Sequence, residues 1–259
     1  MPKKHLGQHF LSDSGILDRI VRFSQVTDED TVVEVGPGRG TLTKAIAGKV
    51  RRVIAIEFDA DLISFLRRTV GPRVEVLERD ALEVDFTTLS PTPYHVVANL
   101  PYNIATPLIE RFVAARNSIS SVTVMLQREV ADRILASPGG RQYGALSVGT
   151  QYYARIERGF TVPPGAFTPP PKVHSRMLRM TWNRDVADSP EFIIFVRRAF
   201  ISRRKKLLNN LAAIFPGRGR EELIGIFERE GIDSNARPED LSVETFARLH
   251  RTLVYNLSP

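Results

Sequence analysis

The sequence predicts an α/β fold, a doubly wound parallel sheet followed by a small helical domain. Three observations predict it. Five short apolar runs between 31 and 126 alternate with helical patterns. Each of the first four runs ends at glycines, a carboxylate or an amide. From Pro190 onward the apolar spacing is helical. Buried strands joined by helices give a parallel sheet covered on both faces, and its right-handed crossovers place ligands outside the C-terminal strand ends.

In chain order, the runs are TVVEV (31–35), VRRVIAIE ending at Glu57, RVEVL leading to Asp80, YHVVAN ending at Asn99 and SVTVML (121–126). Helical patterns at 41–48, 60–69 and 104–116 lie between them. QREVADR carries Glu129 and Arg133 at i,i+4, which supports a helix. YGALSVGTQYYARI (143–156) alternates and predicts a further strand. TVPPGAFTPPPKVHS (161–175) holds five prolines in fifteen residues, and proline cannot donate to a ladder, so an extended loop is expected. VHSRMLRMTW (173–182) alternates as a closing antiparallel strand would. Helices are expected over 191–214, 220–230 and 242–256, with breaks at Pro216-Gly217 and Gly231. A boundary near 184–188 gives two domains, 1–184 and 185–259.

The chain has 259 residues, 42% apolar and 25% charged, which suits a globular protein and excludes a disordered or fibrous one. With no cysteine, disulfides, thiolate metal sites and cysteine nucleophiles are excluded. The histidines are scattered; His5 and His9 lie four apart with no third ligand nearby, so no metal is expected. The longest apolar run, Phe192 to Val196, is far short of a membrane span, and no secretory signal is visible, so a cytoplasmic location is expected. The net charge of +7 favours a polyanionic partner, although 36 basic residues with only 7 lysines also fit a general arginine excess. Clustering says more: six of the ten residues from Arg197 to Lys206 are basic and none is acidic.

The motifs stand at the strand ends. Glu34-Val-Gly36-Pro-Gly38-Arg-Gly40 follows a strand and precedes a helix, and its glycines let the backbone approach a ligand. A dinucleotide fingerprint would need glycine at Thr41, which disfavours a nicotinamide oxidoreductase. The GxGxG spacing resembles the first motif of S-adenosylmethionine-dependent methyltransferases. Glu57, 21 residues after Gly36, can accept from ribose hydroxyls, and Asp80 from an adenine amino group. Asn99-Leu-Pro-Tyr102 suits methylation of adenine N6, whose lone pair is delocalised into the ring. The Asn99 amide oxygen and the Leu100 carbonyl can accept the two N6 protons, and Tyr102 offers a face for stacking. No general base is required, because the methylated ammonium is acidic.

These residues resemble the ribosomal RNA adenine N6-dimethyltransferase family, most closely its bacterial small-subunit (kasugamycin-sensitivity) branch. The resemblance runs through LGQHFL (6–11), EVGPGRGTLT (34–43), IEFD (56–59), RDAL (79–82), NLPYNIATPL (99–108), MLQREVADR (125–133), YGALSV (143–148), VPPGAFTPPPKVHS (162–175), SRRKKLLNNL (202–211) and RPEDLS (237–242). It implies a Rossmann-like S-adenosylmethionine-dependent methyltransferase domain with a C-terminal helical RNA-binding domain. It implies transfer of four methyl groups to two adjacent adenines in a hairpin near the 3′ end of small-subunit (16S) rRNA, within the small ribosomal subunit or its precursor. A monomer without membrane contact is expected.

By position, the resemblance assigns the cofactor to Gln8, His9, Leu11, Gly36, Gly38, Glu57, Asp80 and Asn99. It assigns the chemistry to Asn99, Leu100 and Tyr102, with Phe167 packing on the target adenine opposite Tyr102. His9 stands where the family usually has asparagine. Arg197, Arg198, Arg203, Arg204, Lys205 and Lys206 are expected on one helix as phosphate contacts. The alternatives are a macrolide-resistance relative acting on one adenine of large-subunit rRNA, and a non-catalytic RNA-binding or assembly factor on the same fold. PPGAFTPPPKV and the tail pattern favour the small-subunit branch, and intact Glu57, Asp80 and Asn99-Leu-Pro-Tyr102 argue for catalysis.

Overall fold

A computed structural model describes residues 9–187 and 189–254. It divides into two compact units, one built from the chain up to Ala131 with Arg155–Trp182, the other from Asp132–Ala154 with the residues from Asn183 on.

In the first unit the elements run β1 (Phe10–Leu11), α1 (Ser14–Ser24), β2 (Thr31–Val35), α2 (Thr41–Ala47), β3 (Arg52–Glu57), α3 (Ala60–Thr69), β4 (Val74–Glu78), β5 (Tyr94–Asn99), α4 (Ala105–Ala114), β6 (Ile119–Gln127) and α5 (Arg128–Ile134), the last ending across the division. After α6 (Ala145–Tyr153) of the second unit come β7 (Ala154–Val162), β8 (Phe167–Thr168) and β9 (Ser175–Trp182). The sheet has seven strands in the order β4-β3-β2-β5-β6-β9-β7. β4 through β6 are parallel, and β9 closes antiparallel on β6 with Gln127 opposite Ser175. All five residues of β2 are buried, as expected of a β-branched run inside a parallel sheet. The strand order reverses beside β2, which has β3 on one side and β5 on the other. That reversal is the topological switch point at which open α/β sheets bind ligands.

Side-chain caps set the helix starts. Asp13 accepts from the Ile16 N–H at 3.0 Å to open α1, and Asp59 accepts from the Asp61 N–H at 3.1 Å to open α3. Ile16, Leu17, Ile20 and Val21 of α1 pack with Leu42 and Ile46 of α2 on Val32, Val53, Val97, Met125 and Met177. β1 pairs antiparallel with β8, Leu11 opposite Phe167. The proline-rich stretch is therefore ordered: it contributes a short strand as well as a loop.

The second unit holds α6, α7 (Pro190–Ala199), α8 (Leu207–Ile214), α9 (Arg220–Arg229) and α10 (Val243–Val254). Two expectations are corrected here. The strand expected at 143–156 is largely α6, and strand structure begins only at Ala154. Leu146 to Thr150 are all buried, so the stretch has no polar face, and a helix buried all round shows no period. This helix groups with the residues from Asn183 on. The helix expected over 191–214 is two, α7 and α8, separated by residues 200–206. Four consecutive basic residues offer no apolar side to bury. The buried amide of Asn210 instead donates to the carbonyls of Ala199 at 2.7 Å and Ser202 at 3.2 Å, satisfying the end of α7. Tyr143 donates to the Leu241 carbonyl at 2.9 Å, and Tyr153 to that of Ser189 at 2.6 Å. Phe192, Phe195, Phe200, Phe246 and His250 form the aromatic centre of this unit.

Candidate active site

A cavity of about 250 Å3 opens at the C-terminal ends of β2, β3, β4 and β5. His9, Leu11, Gly36, Gly38, Glu57, Asp80, Asn99, Leu100 and Tyr102 all line it, so the structure brings these expected site residues together. Gln8 lies outside the described residues. Phe167 is placed apart from the others. It is 3% exposed, belongs to the core cluster and does not line the cavity. Its pairing partner Leu11 holds it in the β1–β8 ladder. The ring that faces Tyr102 is that of His9, with centroids 5.5 Å apart and planes inclined by 33°.

The loop after β2 needs its glycines. Gly36 has φ +70°, and a Cβ there would stand 3.0 Å from the Pro101 ring; Gly38 has φ +59°, and a Cβ would stand 2.9 Å from the Phe10 ring. Both conditions exclude a side chain. Thr41, which breaks the dinucleotide pattern, donates its hydroxyl to the Leu11 carbonyl at 2.9 Å and so ties β1 to the start of α2.

Glu57 ends β3 as an anchor of this loop. One carboxylate oxygen accepts from the Phe58 and Asp59 N–H groups at 2.9 and 3.0 Å, the other from the Gly38 N–H at 3.2 Å. Burial pushes its pKa up, and these three donors pull it back. Asp80 accepts from the Leu82 N–H at 2.8 Å, which holds the turn after β4. At the end of β5, the Asn99 side-chain N–H₂ donates to the His9 carbonyl at 3.4 Å. That contact orients the amide and leaves Oδ1 buried without a hydrogen-bond partner. The His9 Nδ1–H donates to the Pro169 carbonyl at 2.8 Å. The Tyr102 hydroxyl and Ser175 hydroxyl are 2.8 Å apart, and burial raises the Tyr102 pKa.

Phe58 and Glu34 are among the lining residues that carried no assignment from the sequence. Phe58, 65% exposed, follows Glu57 and presents an aromatic ring where a large apolar side chain would normally be covered. Glu34 is buried in β2 and its Oε2 has no partner; in the sequence it heads the glycine motif, but nothing there gave it a role. The basic residues lie in the second unit. Arg197 and Arg198 occupy the last turn of α7, Arg203 to Lys205 the following turn, and Lys206 the N-cap of α8, so the run is not one helix face. Arg203 donates to the Arg141 carbonyl at 3.1 Å and lies 3.7 Å from the Glu239 carboxylate, while Lys206 donates to Asn235 at 2.6 Å. Among the described residues no group of three or more His, Asp or Glu could hold a metal, and no helix is long and apolar enough to cross a membrane.

Glycine loop, strand-end acids and Asn-Leu-Pro-Tyr together define a methyltransferase domain of Rossmann-like fold. A sequence profile of the ribosomal RNA adenine dimethylase family matches residues 2–254, and the chain belongs to that family. It is 37% identical to ribosomal RNA small subunit methyltransferase A of Natranaerobius thermophilus, covering 98% of this chain and 92% of the relative. It is 40% identical to the protein of the same description from Alcanivorax borkumensis, covering 95% and 88%. Among solved structures it resembles a dimethyladenosine transferase from Plasmodium falciparum, with a TM-score of 0.80 and 25% identity over 96% of this chain and 98% of that one. The 23S rRNA methyltransferase ErmE shares the fold, with a TM-score of 0.72 and 24% identity over 94% and 99%. The enzyme uses S-adenosylmethionine, and the cavity suits it: Glu57 and Asp80 stand at successive strand ends beside a loop that side chains cannot fill.

Proposed function

We propose that the protein dimethylates N6 of two adjacent adenines in a hairpin near the 3′ end of small-subunit rRNA, acting in the cytoplasm as a monomer on the small subunit or its precursor. The observation that carries the chemistry is the buried, unpartnered Oδ1 of Asn99 at the cavity wall beside Leu100 and Tyr102. A buried acceptor without a partner is costly, and a ligand N–H is the natural group to satisfy it. The substrate class rests on the relatives described as small subunit methyltransferases.

S-adenosylmethionine supplies an electrophilic methyl group on a sulfonium. The protein's part is to hold the adenine. The base leaves its stack to enter the cavity and lies on the Tyr102 ring. Asn99 Oδ1 and the Leu100 carbonyl accept from N6, which helps the nitrogen pyramidalise and localise its lone pair. Alignment does the rest, and the N6 proton passes to water. Phe167 has no role in this account. The basic turn after α7 contacts phosphates, and its Arg203, Arg204 and Lys205 are all exposed.

The test is incubation of undermethylated small subunits and of large subunits with labelled cofactor, followed by mapping of the labelled nucleotides. Label on two neighbouring adenines near the small-subunit 3′ end is expected. Label on a single large-subunit adenine would replace this reading with the macrolide-resistance one.

A further inference from the structure

The cavity holds an acid that the chemistry above does not use. Glu34 lies in the middle of the sheet, opposite Ala55 of β3, and is 2% exposed. It lines the cavity, and its Oε2 is buried without a hydrogen-bond partner. A buried ionised carboxylate in that position would be left without compensation, so the carboxyl is neutral. Burial pushes its pKa up to about 8, the Thr43 hydroxyl opposes the rise and the Glu57 carboxylate adds to it. The other titratable and charged groups on the cavity wall are His9, Glu57, Asp59, Arg79, Asp80 and Tyr102. Three of these six are carboxylic acids. Glu57 differs from Glu34 in having three backbone N–H donors that favour its ionised form.

We infer that Glu34 couples cofactor occupancy to a proton: it is protonated in the free protein, releases the proton when the sulfonium cofactor binds, and regains it when the neutral thioether product occupies the site. The inference rests on the cofactor reading above and adds to it a means of telling donor from spent product. The two ligands differ by one methyl group and one positive charge. A hydrophobic contact with one methyl group discriminates weakly, by about 10- to 200-fold. The charge adds a further factor of similar size, and one that depends on pH. A unit charge roughly 6 Å from a carboxyl at an effective dielectric of about 20 shifts its proton equilibrium on the order of 100-fold. The balance is simple: the Glu34 O–H bond breaks, the proton goes to solvent, and the carboxylate would share the cavity with the positive charge of the bound cofactor. After methyl transfer that positive charge is gone and the proton returns. Burial makes the neutral form of Glu34 the resting one, and the neighbouring acid Glu57 adds a smaller push in the same direction.

The test is calorimetry of S-adenosylmethionine and S-adenosylhomocysteine binding to the full chain between pH 6.5 and 8.5, in buffers of different ionisation heat. The wild type is expected to release close to one proton with the sulfonium ligand near pH 7 and close to none with the thioether. The preference for the sulfonium ligand should rise as much as about tenfold per pH unit up to about pH 8. Glu34→Gln keeps the shape and neutrality of the protonated acid, so it should fold, bind both ligands and lose this pH dependence. The ligands' own amino groups titrate alike in both proteins and cancel in the comparison. Difference infrared spectra of the wild type give a second readout: the carbonyl band of a protonated carboxyl should vanish with the sulfonium ligand and persist with the thioether. Unchanged proton release in Glu34→Gln, or a protonated carboxyl band that survives sulfonium binding, overturns the inference. Failure of the wild type to bind either ligand would overturn the cofactor reading itself.

Discussion

Asn99 is held by one contact and left open at the other end of its amide. The N–H₂ side donates to the His9 carbonyl, so the oxygen is the atom offered to a ligand. A contact used mainly in the transition state lowers the rate more than binding when it is removed. Asn99→Ala should therefore slow methyl transfer by on the order of 100-fold or more at saturating cofactor, by analogy with losing one preorganised polar group. Cofactor affinity measured in parallel should change far less. At Tyr102 the ring and the hydroxyl separate cleanly. Tyr102→Phe loses the hydrogen bond with Ser175, worth about 1 kcal/mol, and keeps the stacking face. Tyr102→Ala loses stacking worth about 1–3 kcal/mol. Single-turnover assays on small subunits decide: wild-type rates in Asn99→Ala, or equal loss in both Tyr102 variants, would sink this account. His9 belongs to the same scale. Its asparagine-to-histidine departure is visible in the sequence. That its ring would face Tyr102 depends on β1 pairing with β8, two segments far apart in the chain.

At the scale of elements, the strands of the parallel sheet were legible because a strand buried on both faces leaves an unbroken apolar run ending at a functional turn. TVVEV, YHVVAN and SVTVML each became a strand of that sheet. Where burial is complete without a sheet, the same signal misleads, and α6 is the case: its small residues Ser147, Gly149 and Thr150 allow close packing and erase the polar face that marks a surface helix. The break between α7 and α8 was hidden for a different reason. Continuous helical spacing on either side concealed a turn whose carbonyls are satisfied by Asn210, a residue further along the chain. That turn displays Arg203, Arg204 and Lys205, with Ile201 beside them 77% exposed. Neutralising Arg204 and Lys205 should weaken RNA binding and reduce the log–log salt slope by about 0.7–0.9 for each phosphate no longer neutralised. The methylated positions should stay the same. The slope is read from binding titrations across a salt series, and an unaltered slope or relocated methylation would remove the turn from the interface.

At the scale of the whole molecule, the two units carry buried groups that titrate in opposite directions. In the first unit Glu34 is raised to about 8 and Glu57 is raised as well, both chiefly by burial. A raised acid contributes stability that is complete below its unfolded pKa and is lost as pH rises through the folded value. In the second unit burial lowers the pKa of His250. There the unfolded chain binds the proton more readily, so stability is complete above the ordinary histidine range and falls as pH drops below about 6.5. The first unit also contains a largely buried histidine, His95, which adds an acid limb of its own. Between pH 6.5 and 8 the falling, alkaline limb therefore belongs to the first unit, since the raised acid of the second, Tyr143, titrates only above the ordinary tyrosine range. Its reporter is built in: the single tryptophan, Trp182, is buried there and donates to the Ile119 carbonyl at 2.6 Å. Between pH 6.5 and 8 the thermal midpoint read by Trp182 fluorescence should fall, by at most about 1.4 kcal/mol of stability per pH unit for the single proton on Glu34. Circular dichroism, to which the helices of both units contribute, should fall less, and the two probes should separate as pH rises. Glu34→Gln should flatten the fluorescence trend and leave the dichroism trend of the helical unit in place. A fluorescence midpoint that falls equally in wild type and Glu34→Gln would place the alkaline limb on another group.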